Sequence, residues 1–331
     1  MSLDFTVAIP VYNGADRIHR VIDRLRSQID VDHLSWEILV IDNNSTDCLE
    51  ETLSKIQTNW THAAPLRYVF EPKQGLTFAR ARAIETAQGK YVGFLDDDNL
   101  AHADWVISAY RFGESHPTVG AYGGKIEAEL TTAPPPGWNG IKSFLAIRSL
   151  GAQPKSFNPQ HLQLPPGAGL VIRKRAWLES VPQKVVRVSR GGDDYQISLY
   201  MYNHGWEIWY NPDMVIDHHI PAWRINTEYI AGQAYLYGSC TCELQMLIVP
   251  LWQRPLIWMK GLLGAIKRLS RHFWMYGYLG SKDGSTPQHH SISSQIGMEV
   301  HCTRAFYWGN LISPWLYLRN VSQRFWSNHF A

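Results

Sequence analysis

Three consecutive carboxylates, Asp96, Asp97 and Asp98, close the apolar run Tyr91–Leu95, with no lysine or arginine among them. Like charges at that spacing repel one another unless a cation sits between them. A hard divalent ion prefers oxygen ligands and bridges phosphate oxygens, so the triplet reads as a metal site for a phosphate-bearing substrate. A second acidic pair, Asp193-Asp194, follows Arg190-Gly191-Gly192, where the pattern marks a helix start that Asp193 could cap. A histidine pair, His218-His219, comes after the apolar run Met214–Ile216. Gly167-Ala168-Gly169 would let backbone approach a ligand closely. Trp138, Trp206 and Trp209 offer flat apolar faces for a ligand, or for packing.

These groups need elements to position them. Strand-like runs at Thr6–Pro10, Glu37–Ile41, Arg67–Phe70 and Tyr91–Leu95 alternate with helix-period segments near Ala15–Gln28, Thr46–Gln57 and Phe78–Ala87. That alternation implies right-handed βαβ units and a mostly parallel sheet. Open α/β sheets bind ligands beyond the carboxyl ends of their strands. The turns Pro10–Asn13, Asp42–Asn44 and Asp96–Asn99 should therefore converge on one crevice. Ser45 or Thr46 is the expected N-cap of the second helix. Further on, Asp104–Gly113, Lys174–Glu179 and Asp193–His204 read as helices. Val119–Glu127, Gly167–Ile172, Glu207–Tyr210 and Met214–Ile216 read as strands. The proline-rich stretch from Ala133 to Pro166 is irregular and suits a substrate loop.

The chain has 331 residues and a formal net charge of +2, which offers no excess positive charge for nucleic acid. From Val249 onward there are nine Lys/Arg against two acidic residues, Asp283 and Glu299. Leu247–Leu269 is the most apolar stretch, but Arg254, Lys260, Pro250 and Pro255 interrupt it, and a span needs roughly 20 predominantly apolar residues. A membrane span is rejected. Two readings stay open for this region: an interfacial helix, with Trp252, Trp258 and Trp274 beside Lys260, Lys267, Arg268 and Arg271, or helices packed on the catalytic core. The cysteines Cys48, Cys240, Cys242 and Cys302 fit neither a disulfide framework nor a zinc pattern and imply a reducing compartment. No secretory leader precedes the first strand, so the expected location is cytoplasmic, with peripheral contact at the inner face of the cell membrane an option. The expected division is a catalytic domain over residues 1–222 and a helical, aromatic-rich, basic region over 223–331.

Four segments, Val7–Asn13, Ile38–Asp47, Gly75–Arg80 and Tyr91–Asn99, together resemble family 2 glycosyltransferases of the GT-A fold. The likeness covers roughly residues 5 to 220 and leans towards bacterial exopolysaccharide biosynthesis. It implies an α/β fold with a Rossmann-like, mostly parallel mixed sheet flanked by helices, and a helical C-terminal extension. By the resemblance, Pro10, Tyr12 and the Asp42-Asn43 loop hold nucleobase and ribose, and Asp97 joins the donor-binding residues. Relatives often carry two aspartates where this chain has Asp42-Asn43, so both UDP- and dTDP-linked sugars stay open as donors. Arg80 matches an arginine that approaches the donor; Arg82, on another helix face, is the second candidate. Asp96 and Asp98 form the Asp-x-Asp metal motif, completed by His218, with His219 as fallback. An imidazole ligand tilts the choice between Mg²⁺ and Mn²⁺ towards Mn²⁺. The acidic pair supplies the catalytic base, Asp194 ahead of Asp193. Gly167, Trp138 and Trp206 are the expected sugar- or acceptor-side residues.

The expected reaction is an inverting transfer from a nucleotide-diphosphate sugar to a glycan or lipid-linked acceptor. The rivals are a nucleotidyltransferase that makes sugar nucleotides, and a non-catalytic glycan- or membrane-binding scaffold. The first of these should have a Gly- and Lys/Arg-rich first loop, and Pro10–Gly14 is poor in both.

Overall fold

The computed structural model describes residues 3–182, 192–276 and 287–329. Arg190 and Gly191, which introduce the second acidic pair, and Asp283 lie outside the described residues. The chain divides into two compact units. The first comprises the described residues within Met1–Glu129, Ile147–Arg187 and Asp193–Ile220; the second those within Leu130–Ala146, Val188–Gly192 and Pro221–Ala331.

The first unit opens with β1 (Leu3–Val11), α1 (Ile18–Arg26), β2 (Trp36–Asp42), α2 (Leu49–Thr58), β3 (Leu66–Phe70), α3 (Leu76–Thr86) and β4 (Gly89–Phe94). β1 pairs in parallel with β2 and β4, and β2 with β3. Then come β5 (Asn99–Ala101), α4 (Trp105–Ser115) and β6 (Val119–Leu130). β7 (Lys155–Ser156), β8 (Val171–Arg173), α6 (Lys174–Ser180), α7 (Asp193–Asn203) and β9 (Glu207–Ile220) complete the unit. The sheet order is β3-β2-β1-β4-β8-β6-β9-β5, with β7 on β9. β8 is antiparallel to β4 and β6, and β9 to β5 and β7, which makes the sheet mixed.

Burial explains the order. Every residue of β2 and seven of the nine in β1 are buried, as expected for central strands covered on both faces. On α1 the buried residues Ile18, Val21, Ile22 and Leu25 recur at helical spacing and face the sheet. Each such aliphatic side chain contributes roughly 1.5–3 kcal/mol on burial. Glu37 puts a charge in the interior of β2. Its fully buried carboxylate accepts from Thr6 Oγ1 (2.8 Å), the Gln88 amide (2.8 Å) and Arg67 (2.6 Å).

Three readings of local structure need correction. α2 starts at Leu49, not at a Ser45 or Thr46 cap. Ser45 Oγ instead accepts from the Asn13 amide, the Thr46 amide donates to Asn13 Oδ1, and Asp47 Oδ1 accepts from the Leu49 amide. The two expected strands around Pro212 are one strand, β9, continuous over fourteen residues. The strand expected over Gly167–Ile172 is confined to Val171–Arg173, because Gly169 turns with φ +69°.

The second unit holds α5 (Trp138–Ile141), α8 (Thr227–Leu247), α9 (Arg254–Tyr276) and α10 (Pro287–His329). α8 and α10 cross closely at two glycines. A Cβ on Gly238 would strike the Phe306 carbonyl, and one on Gly309 the Tyr235 carbonyl. No helix among the described residues is long and apolar enough to cross a membrane.

Candidate functional site

Parallel register brings the strand ends level. Val11 lies opposite Asp42, and Ala8 opposite Phe94, so the turns after β1, β2 and β4 leave from one edge. They are tied to each other. Asn13 and Asn44 both adopt left-handed backbone (φ 51° and 61°), which asparagine tolerates better than most residues. The Ala15 amide donates to Asp47 (2.9 Å), and the Asn43 amide donates to the Val11 carbonyl (2.8 Å). The expected convergence of these turns is present.

The acidic triplet is wrapped by Asn99, which is fully buried. Its Oδ1 accepts from the Asp96 amide (3.1 Å) and its Nδ2 donates to Asp98 Oδ1 (3.0 Å). The three carboxylates then diverge. Asp97 is held by Arg17 at 2.7 Å, and that guanidinium also donates to the Asn13 carbonyl (2.9 Å). Gly14 stands against Asp97, where any side chain would collide with the carboxylate. Asp98 turns the other way, with Oδ2 3.6 Å from His218 Nε2. The Asp98 carbonyl accepts from the His219 amide at 2.9 Å. Asp96 is pushed up to about 6 by burial and by the neighbouring Asp98 charge, against the opposing pull of Arg80.

The two histidines part for a simple reason: side chains alternate across a strand. His218 meets Asp98, whereas His219 Nδ1 lies 2.7 Å from Glu129, which also takes Arg20 at 2.8 Å.

Arg80 is 2% exposed on α3, and its Nε has no hydrogen-bond partner. Its guanidinium fills the space where a Gly167 side chain would be. Arg82, on the other helix face, pairs with Glu71 (3.1 Å) and Glu85 (3.2 Å). The Gly167 amide in turn donates to Asp194 Oδ2 at 2.6 Å, while Asp194 Oδ1 accepts from the Tyr195 amide. Asp193 accepts from Thr77 Oγ1 at 2.8 Å, one turn before Arg80 on the same helix. Arg80, Gly167 and Asp194 thus form a continuous series, with Asp96 within electrostatic reach of Arg80.

Pro10 is buried, and Tyr12 is 45% exposed at the rim. Asp42 accepts from Tyr68 (2.8 Å) and from the Ser45 amide (2.8 Å); burial and Asp42 together raise the Tyr68 phenol. The Asn43 side chain is committed to backbone, accepting from the Gly75 amide (2.7 Å) and donating to the Lys73 carbonyl (2.8 Å).

Two tryptophans do not join this edge. Trp206 precedes β9 at the end away from His218, packed over Gly120. The eleven residues of strand between them span roughly 40 Å. Trp209, also at that end, packs against His116 (5.3 Å) and Phe112 (6.3 Å). Trp138 belongs to the second unit.

Sequence reading passed over Arg17, Asn99, Arg20, Glu129 and Thr77. Arg17 had a detectable signal, as a basic residue a few positions after β1 on the ligand-binding edge. The others act through contacts 32 or more residues apart, or, for Asn99, through a turn geometry that sequence does not display. Among the described residues, the group that brings three ligand atoms within 4.8 Å of one another is His102, Glu127 and Asp217, outside the triplet.

The residues fit a divalent cation on their own chemistry. Asp98 and His218 converge to 3.6 Å, and cis ligands of a six-coordinate ion at about 2.1 Å lie roughly 3 Å apart, so a small closure suffices. Burial first, and the Asp98 charge second, raise the Asp96 carboxyl, while Arg80 pulls it the other way. The buried guanidinium is thus within electrostatic reach of the acidic turn, where anionic oxygens could be held between them.

Residues 6–160 match the model of "Glycosyl transferase family 2". An uncharacterized glycosyltransferase of Rickettsia felis is 35% identical over 111 residues, 34% of this chain and 17% of that protein. The putative teichuronic acid biosynthesis glycosyltransferase TuaG of Bacillus subtilis is 35% identical over 109 residues, 32% of this chain and 40% of its own length. The chain thus spans well under half of these relatives. Among solved structures, mannosyltransferase PcManGT from Pyrobaculum calidifontis, in complex with GDP-Man and Mn²⁺, superposes with TM-score 0.61 and 18% identity. The match covers 97% of this chain and 88% of that one. S. aureus TarS gives 0.51 at 15% identity, over 76% and 43%. At these identities the structural likeness speaks for the fold.

Proposed function

We propose that this chain, whose residues 6–160 match the family 2 glycosyltransferase model and whose fold is of the GT-A type, is a metal-dependent, inverting glycosyltransferase. The donor is a nucleoside-diphosphate sugar, UDP- or dTDP-linked, and the acceptor a glycan or lipid-linked hydroxyl. The name of TuaG puts that relative in polysaccharide biosynthesis, and we extend the same class to this chain. Free thiols at Cys48, Cys240, Cys242 and Cys302 favour a cytoplasmic setting.

The observation that carries the reading is Arg80. Burying a guanidinium with an unpaired N–H is costly unless an anion arrives to take it. A donor diphosphate between Arg80 and the Asp96–Asp98 turn would supply that anion. Held by Asp98 and His218, with Asp96 alongside, a divalent ion would neutralise the departing diphosphate as a Lewis acid.

The chain's own groups do the rest. Arg80 donates to phosphate oxygens as negative charge grows on them. Tyr12 offers an exposed ring to the nucleobase, and Asn43 keeps the 73–75 loop beside it in shape. Asp194 is oriented by one amide on each oxygen, and each oxygen retains a further acceptor site for the acceptor hydroxyl. As the acceptor oxygen bonds to the anomeric carbon, its proton passes to Asp194 and the bond to the diphosphate oxygen breaks. A single displacement inverts the centre, and no enzyme nucleophile is required.

The test is a thermal-shift screen of nucleotide sugars with and without Mn²⁺, followed by transfer assays of Asp194→Asn. The variant should keep metal-dependent donor stabilisation and lose transfer by about 10²–10⁴-fold. Wild-type turnover in Asp194→Asn would reject the base, and donor stabilisation indifferent to metal would reject the cation.

A further inference from the structure

The helix α9 has one face engaged and the opposite face bare. Ala265, Leu269 and His272 are buried within the second unit, and Trp258 donates to the Pro314 carbonyl of α10 (2.9 Å) while meeting Trp315 edge-on at 5.4 Å. On the other side, Leu256, Met259, Leu263, Ile266, Phe273 and Trp274 are all exposed, Leu263 to 61% and Trp274 to 81%. At about 100° per residue these six fall within an arc of about 100°. Leu256 and Trp274, five turns apart, lie on the same line, and Ser270 is the one polar residue inside the arc. The turn before α9 extends the apolar surface with Leu251 and Trp252, 75% and 73% exposed.

Charge is segregated just as sharply. Lys267, Lys260 and Arg271 follow the apolar arc within about 60° on one flank. α9 holds five basic residues, Arg254, Lys260, Lys267, Arg268 and Arg271, and no acidic one. Such an exposed apolar stripe on a monomer marks a contact surface. A protein interface is a patch with an apolar core enclosed by a polar rim. A stripe that runs the full length of a 23-residue helix, with tryptophans at both ends and cations along one side, instead matches a lipid surface. The same helix is too short of apolar residues to cross a membrane.

We propose that α9 and the turn preceding it dock in the plane of an anionic bilayer, with the Leu256–Trp274 arc among the acyl chains and Lys260, Lys267 and Arg271 at the headgroups. This deepens the transferase reading by putting the chain where a lipid-linked acceptor lies, but it stands on a helix outside the donor site.

Co-sedimentation of the full chain with vesicles tests it without donor, metal or acceptor. Binding to vesicles of equal parts phosphatidylcholine and phosphatidylglycerol is expected, with little binding to phosphatidylcholine alone and a steep loss at high salt. The triple variant Lys260→Glu/Lys267→Glu/Arg271→Glu should weaken binding at least about tenfold, as should Leu263→Asn/Trp274→Ser. Arg24→Glu/Lys55→Glu, exposed charges on the first unit, should bind like wild type. Brominated acyl chains should quench wild-type fluorescence more than that of Trp274→Phe. The proposal is overturned by absence of vesicle binding, by equal binding to neutral vesicles, or by wild-type binding in both α9 variants. It is equally overturned if the wild type sediments as a dimer that Leu263→Asn/Trp274→Ser dissociates, since a second copy would then cover the arc. Failure here leaves donor stabilisation and transfer to a soluble acceptor intact, whereas failure of the transferase reading leaves vesicle binding intact.

Discussion

The Gly167 amide donates to Asp194 at 2.6 Å, on a residue whose lack of a side chain makes room for the Arg80 guanidinium. One glycine therefore sets the position of both the proposed base and the proposed phosphate ligand. A methyl group in Gly167→Ala must displace Arg80, and overpacking of this kind typically costs about 1–3 kcal/mol. We expect kcat/KM to fall roughly 10- to 100-fold with the far-UV circular dichroism unchanged. Wild-type kinetics would show that Arg80 is not held there in solution.

His218 and His219 make a natural pair for comparison. Only His218 presents its ring to Asp98, at 3.6 Å. His218→Ala should weaken Mn²⁺ binding about 10- to 100-fold by calorimetric titration, in the range found when metal-site groups are removed. His219→Ala keeps its backbone bond to the Asp98 carbonyl and loses only Glu129, so its effect should be smaller. The reverse ranking would reassign the ligand.

The Asp96 carboxyl, raised to about 6, gives a pH dependence of defined sign. In the metal-free protein the folded state binds this proton more tightly than the unfolded chain. Its contribution to stability is therefore complete below the ordinary carboxylate range and is lost as pH rises through about 6. Metal binding needs the ionised form, so Mn²⁺ affinity should drop as pH falls below about 6. Melting curves of metal-free wild type and Asp96→Asn should draw apart as pH rises from the ordinary carboxylate range to about 6 and stay apart by a constant amount above it, with Mn²⁺ reversing the divergence in wild type alone. A pH-independent gap between the two proteins would contradict the shift.

Arg17 ties the first loop to the triplet through Asp97. The guanidinium is one-third exposed, so Arg17→Ala should cost no more than about 1 kcal/mol in thermal or urea melts. Donor KM should nonetheless rise several-fold with kcat less affected, because removal of the Arg17 charge leaves the Asp97 carboxylate less screened where phosphate must bind. An unchanged KM would make the bridge purely structural.

Glu37 carries a stability prediction with no catalytic content. Glu37→Ala leaves the Thr6 hydroxyl and the Gln88 amide without their acceptor, while Arg67, one-third exposed, keeps the Thr86 carbonyl. A buried donor left unsatisfied costs about 1–3 kcal/mol, which urea denaturation would register as a lower midpoint. Glu37→Gln, which still accepts hydrogen bonds, should lose less.

Much of this was legible in the linear chain. The alternation of buried runs with 3.6-period helices gave the parallel half of the sheet, and the turns after β1, β2 and β4 met at one edge because parallel strands all deliver their carboxyl ends to the same side. The resemblance to family 2 glycosyltransferases was likewise written in short local segments, confined to the first part of the chain. Local signals failed where a side chain had a better offer from elsewhere. Ser45 and Thr46 look like helix caps but are bound to Asn13. Asn43 looks like a base reader but clamps the 73–75 loop.

What the tertiary structure alone decided is which member of each redundant set faces the site. Sequence offered three aspartates, two histidines and two arginines without ranking them by environment. Folding gave Asp97 to Arg17, His219 to Glu129 and Arg82 to Glu71, and left Asp98, His218 and Arg80 facing inward. The reason is geometric. Residue types fix what a side chain can do, but strand alternation, helix phase and partners far away in the chain fix which way it points.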